Sequence, residues 1–260
     1  AMDAINLFNQ WWDIIKFHTY IASISEHDDT EDLNGRLSMW RAFGGNNATR
    51  VAIVFNVPLH SEGSDALNLM FSPVDYLQQD EVHDMIYEVM EHIKANKYFI
   101  GSLDRNIVVG YVFQMLLAGV TCLKHEGFRE EREWRAIYNP KLRNSPLIKS
   151  AVEVIHGAPQ TVYKLPLDVD TSPLLADLDF SNIFNRLIIG ASAYPSVTKE
   201  AFISILEEIG VSDAKEKVFI SGIPVRSYFL THKNIIRYLK LRPKPLPVKF
   251  QSRVGYISDS

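Results

Sequence analysis

The chain has 260 residues, of which 47% are apolar and 22% charged, enough to bury a substantial core as one large domain or two small ones. A formal net charge of -4 gives no overall pull toward nucleic acid or anionic membrane, and the single cysteine, Cys122, excludes a disulfide framework and any multi-thiolate metal cage. No apolar run approaches the ~20 residues of a membrane span and no secretory leader pattern opens the chain, so a cytoplasmic location without a membrane partner is expected.

The hydrophobic period switches repeatedly along the chain, which is the pattern of a mixed fold. Residues 4–15 read as a helix with an aromatic face at Phe8, Trp11 and Trp12, followed by a β-branched and aromatic strand over 18–24. The polar segment 28–35 ends in Asn34-Gly35 and reads as a surface loop. Strands are expected at 50–57 and 67–76. Helical spacing returns at 81–95, with Val82, Met85, Ile86, Val89 and Ile93 on one face, and again at 109–123. Cys122 falls in an apolar run there and reads as a buried, inert thiol. Strand patterning resumes at 132–137, 151–155 and 161–167, with a turn over 156–160 between the last two. A β-α-β unit is expected to close the body, with strands at 187–189 and 218–220 around a helix at 198–209. The predicted core draws on Ile53, Val54, Phe55, Met85, Val89, Val112, Met115, Leu116, Leu187, Ile188, Ile189, Phe202, Leu206, Phe219 and Ile220.

The fold class is therefore α+β: a mixed, mainly antiparallel sheet with packed helices. Residues 1–227 form one α/β domain, and 228–260 a basic extension carrying Lys233, Arg237, Lys240, Arg242, Lys244, Lys249 and Arg253 against Asp259. Pro243, Pro245 and Pro247 favour an extended path there. Such a tail either packs across the acidic body or acts as an arm for phosphate, nucleic acid or a protein partner.

Three segments are candidates for chemistry. In the string Glu131-Arg132-Glu133-Trp134-Arg135, a strand's period of two puts Glu131, Glu133 and Arg135 on one face. Two carboxylates beside a guanidinium can orient a polar ligand or stabilise developing positive charge. The plainer reading is a solvated charge ladder in which Arg135 pairs with Glu133. The second candidate is the segment from Ser38 to Gly45, where Trp40 offers a stacking surface and Arg41 a phosphate contact for a nucleotide ligand. Equally, Trp40 and Phe43 form the apolar face of a short helix. In the third, residues 190–196, free amides at a helix start would hold an anion, or Ser196 is simply the cap. The eight histidines form no metal-binding spacing, and no phosphate-loop, nucleophile-elbow or dinucleotide glycine motif is present. No metal is expected.

Residues 20–26, 36–44, 51–55, 124–128, 131–135, 188–190 and 221–226, in that order, resemble the landmarks of the bacterial domain-of-unknown-function family 2971. The resemblance spans residues 19–226, and members begin with an upstream strand and turn that this chain lacks. At fold level that family is similar to ADP-ribosyltransferase-like enzymes that bind NAD. The resemblance implies Glu133 or Glu131 as the acid supporting the ribose, Trp40 as a cofactor contact and NAD as the cofactor, while Arg41, Arg135 and Ser38 are binding candidates from the residues themselves. It also implies an NAD-consuming effector in toxin or phage-defence settings. The alternative is a non-catalytic module that binds a nucleotide or nucleic acid.

Overall fold

The computed structural model describes residues 2–223 except 29, 32, 44–48, 60, 156 and 193. The expected domain boundary at 227/228 and everything read into the basic extension lie outside the described residues. The body is α+β, as its periodicity predicts, and Ala1–Ser221 form one compact unit.

The chain opens with helix α1 (Met2–His18), which runs three residues past its expected end before strand β1 (Tyr20–Ser25). Phe8 and Ile15 of α1 are buried against Phe113 and Leu117 of a later helix, and Trp11 packs beside them; Trp12 of the predicted aromatic face remains exposed. After the loop come a short helix α2 (Leu37–Ala42) and strand β2 (Val51–Phe55). Helix α3 (Glu62–Ala66) was not legible from spacing; its Ser61 and Ser64 satisfy each other's backbone amides in a reciprocal cap. The single strand expected over 67–76 is two, β3 (Met70–Pro73) and β4 (Asp75–Leu77). Pro73 lacks the amide a continuous ladder would need.

Helices α4 (Gln79–Ala95), α5 (Lys97–Ser102) and α6 (Arg105–Thr121) follow, then strand β5 (Leu123–His125), a 3-10 segment over Glu126–Glu131 and strand β6 (Glu133–Tyr138). The hairpin β7 (Lys149–Ile155) and β8 (Ala158–Lys164) is tighter than predicted, because Gly157 at φ +83 supplies the left-handed residue of a short turn. Last come α7 (Phe180–Ile183), β9 (Phe184–Ile189), α8 (Pro195–Glu208), α9 (Ala214–Lys217) and β10 (Val218–Ile220).

Two three-stranded sheets organise these elements. In one, β6 lies between β1 and β3, antiparallel to both. In the other, β9 lies between β10, parallel to it as the β-α-β reading requires, and β2, antiparallel. Helix α8 covers the second sheet, so Ile203 and Leu206 pack on Leu187, Ile189 and Val218. Leu67, Tyr138, Ile148, Leu175 and Leu178 form another cluster.

The predicted core is right at Leu187, Ile188, Ile189 and Leu206, which are buried. Val54, Phe55, Met85, Val89, Val112, Leu116, Phe202 and Phe219 are only partly buried. Ile53, Met115 and Ile220 are exposed, a correction with a common reason: periodicity identifies an apolar face but not whether a neighbour covers it. Cys122 is buried, as expected.

Candidate functional site

The glutamate string straddles a boundary rather than lying in one strand. Glu131 ends the 3-10 segment, Arg132 turns the chain in the left-handed region at φ 46, and β6 begins at Glu133. The strand face predicted to carry Glu131 therefore carries only Glu133 and Arg135. The turn nevertheless brings both carboxylates to one cation. Lys124 Nζ, on β5, donates to Glu131 Oε2 at 2.6 Å and to Glu133 Oε2 at 2.9 Å.

Glu133 is 5% exposed and held from three sides. Arg135 Nε donates to its Oε1 at 2.8 Å, and the Ser23 hydroxyl of β1 donates to the same oxygen. Its backbone amide donates to Tyr76 Oη at 2.7 Å. Burial pushes the carboxyl upward, but donation from Arg135, Ser23 and Lys124 outweighs it and holds the group at about 2. Arg135 is itself occupied, since its guanidinium also donates to the Thr121 carbonyl. Two acids and two bases thus neutralise one another beneath the sheet.

The opposite face of the same strands borders a cleft. The β1–β6 register pairs Ile24 with Trp134, and Phe71 of β3 pairs with Ala136, so Ile24, Trp134 and Phe71 share that face. Across from them stand residues 51–55 of β2, with Trp40, Met39 and Phe43 alongside. The cleft holds about 580 Å³. Ser23, Ser25, Glu26, His27, Glu31 and Arg36 provide its polar lining.

That polar end is internally paired. Arg36 donates to Glu31 Oε1 at 2.6 Å, to the Glu26 carbonyl at 3.1 Å and to the Glu130 carbonyl, tying the loop to the 3-10 segment. Trp134 Nε1 donates to Glu26 Oε1 at 2.8 Å, while Arg132 reaches Glu26 Oε2 at 2.8 Å and Asp28 Oδ2 at 3.1 Å. Donation from Trp134, against a smaller opposing effect of burial and with help from Arg132, lowers the Glu26 carboxyl below its usual range. The backbone and hydroxyl of Thr30 together with Arg132 hold Asp28 at about 2.

Trp40 is on a short helix and 5% exposed, in keeping with the core alternative. Its indole donates to the Asn34 carbonyl at 2.8 Å. A methyl group on Gly35 would come within 2.8 Å of the ring and one on Gly190 within 2.9 Å, so both glycines are needed for the ring to seat. One edge of Trp40 still borders the cleft.

Of the predicted site residues, Trp40 alone lines the cleft; Arg41 is exposed outside it, and Ser38, Glu131, Glu133 and Arg135 are not among its walls. The Ser38 hydroxyl is buried with no hydrogen-bond partner among the described residues. Ser196 is not a cap: α8 begins at Pro195, which is pre-organised for a first helical position, so Tyr194 flanks the helix instead. Sequence reasoning missed Trp134 and Arg36 as cleft residues. The parity of Trp134, opposite to Glu133, carried that signal; the pairing of Arg36 rests on a loop closing 94 residues away on Glu130, which no local pattern encodes.

Residues 39–136 match the model of a family described as a protein of unknown function (DUF2971). The resemblance stated from the sequence holds over that stretch, which runs from Met39 in α2 through the carboxylate string and into β6. No curated protein and no solved structure matches the chain.

Proposed function

We propose that this chain is a non-catalytic nucleotide-binding module, taking the ligand base first into the cleft between β2 and the β1–β6–β3 sheet. One observation carries the reading: Glu133, the candidate acid, lies outside the cleft and is bound to Arg135, Ser23 and Lys124, whereas the cleft itself is walled by aromatic and aliphatic side chains. A volume of about 580 Å³ lies within the ~300 to 1,000 Å³ of small-molecule sites, and such sites pair apolar walls with a few polar groups.

The residues present fit a flat heterocycle and a sugar. They do not fit the pyrophosphate of NAD, because Arg36, the cation among the lining residues, is committed to Glu31 and to backbone carbonyls, and Glu26 and Glu31 border the same end.

Calorimetry with the four common nucleosides and their 5′-monophosphates on the 260-residue chain tests the reading. The expected result is binding of at least one nucleoside, with an affinity changed little between 50 and 200 mM salt, since phosphate contacts would weaken steeply over that range. Absence of binding by every compound sinks it.

A further inference from the structure

The cleft borders every residue from 23 to 27, at the end of β1, and every residue of β2 from 51 to 55. Side chains alternate between the two faces of a sheet, so a cavity that meets an unbroken run lies along the strand's edge and touches its main chain. Among the described residues both strands are edges, β1 of the β1–β6–β3 sheet and β2 of the β10–β9–β2 sheet.

The ladders decide which main-chain groups face the cleft. Glu26 N donates to the Arg132 carbonyl, the next pair beyond Ser25 and Glu133, so antiparallel alternation gives Ile24 to β6 and turns the amides and carbonyls of Ser23 and Ser25 away. In the same way Gly190 N donates to the Arg50 carbonyl, which assigns Ala52 to β9 and leaves Val51 and Ile53 pointing outward. Each outward residue presents one donor beside one acceptor, which suits the rim of a heterocycle but does not tell one base from another.

The side chains do discriminate, because their donors are spent. Arg36 donates through all three nitrogens, to Glu31 Oε1, to the Glu26 and Glu130 carbonyls and to Ser25 Oγ. The Ser23 hydroxyl donates to Glu133 and the Ser25 hydroxyl to the Glu131 carbonyl. Trp134 donates to Glu26, and Trp40 to the Asn34 carbonyl. Among the described residues of the lining, that leaves the solvent-exposed His27 as the side chain with a donor still to give.

Acceptors remain. Glu31 Oε1 takes the Arg36 bond, while Oε2 takes none from the described residues, and the side chain is 19% exposed. A carboxylate accepts and cannot donate. An exocyclic amino group, the N6 of adenine or the N4 of cytosine, supplies the matching donor; the carbonyl oxygen that replaces it in hypoxanthine or uracil would set two acceptors against each other.

We propose that the cleft selects nucleosides whose base carries an exocyclic amino group, with Glu31 Oε2 as the acceptor that reads it. This rests on the nucleotide-binding reading above and names the ligand class within it. Calorimetry on the 260-residue chain with two matched pairs, adenosine against inosine and cytidine against uridine, isolates the amino group. In at least one pair the amino nucleoside should bind about tenfold tighter or more. Glu31→Gln keeps an acceptor for Arg36 and turns an amide donor toward the ligand, so that ratio should fall to about one or invert. Misfolding cannot mimic the change, because lost active protein affects both members of a pair alike. Equal affinities within each pair overturn the proposal and leave nucleoside binding standing; a preference that survives Glu31→Gln overturns the role of Glu31. Binding by none of the four also overturns it, and the nucleotide reading itself falls only when guanosine and the monophosphates fail too.

Discussion

Arg135 Nε lies 2.8 Å from Glu133 Oε1 on one face of β6, where two residues of spacing bring the side chains together. That pair, completed by Lys124 and Ser23, makes Glu133 a structural joint between β1, β5 and β6. Glu133→Gln would leave Lys124 and Arg135 facing a neutral amide. Breaking a largely buried pair costs ~3 to 5 kcal/mol, and the partial exposure of both cations places the expected loss at the lower end. Urea unfolding of the two proteins measures it; a difference under about 0.5 kcal/mol would mean the pair does not hold the sheet.

The same carboxyl predicts an acid limit. Its folded value of about 2 lies below the usual 4.5, so the stabilisation is fully present above pH 4.5 and is lost as the pH falls toward 2. The amount at stake is on the order of 3 kcal/mol. Unfolding free energy measured between pH 6 and pH 2 should fall through that window, and the fall should be smaller in Glu133→Gln. Equal slopes would assign the acid sensitivity to other groups.

The strand at 187–189 was legible as a short continuous apolar run, and the helix at 81–95 because its apolar residues recur at a period of 3.6. Burial was less legible. Ile53 and Met115 sit on properly patterned faces that nothing covers among the described residues, and pattern carries no information about a neighbour's position. The carboxylate string was found but its geometry was not, since the left-handed Arg132 breaks the strand between Glu131 and Glu133. The cleft was hidden for a related reason: its walls come from β1, β2, β3 and β6, which are distant in the chain.

Trp40 tests the packing around the cleft. Trp40→Ala should cost ~3 to 5 kcal/mol, the range for removing a buried Trp. Gly190→Ala should cost about 1 to 3 kcal/mol, because its methyl would press on the same ring at 2.9 Å. Thermal melts of the single and double variants should be less than additive, since the alanine at 190 no longer clashes once the ring is gone. Strict additivity would contradict the shared contact.

Trp134 separates binding from folding. Its ring faces the cleft and its indole bonds Glu26 near the surface, so Trp134→Ala should lower ligand affinity by tenfold or more and destabilise the fold by only about 1 to 2 kcal/mol. Calorimetry paired with urea unfolding measures both, and unchanged affinity would remove the ring from the site.

The most direct measurement is NAD and nucleoside binding by calorimetry, with nicotinamide release followed by mass spectrometry, on the unaltered chain, Glu133→Gln and Trp134→Ala. The account predicts nucleoside binding that is lost with Trp134 and retained in folded Glu133→Gln, with no nicotinamide released. Release of nicotinamide that disappears in a folded Glu133→Gln protein would contradict it and establish Glu133 as the acid of an NAD-consuming site.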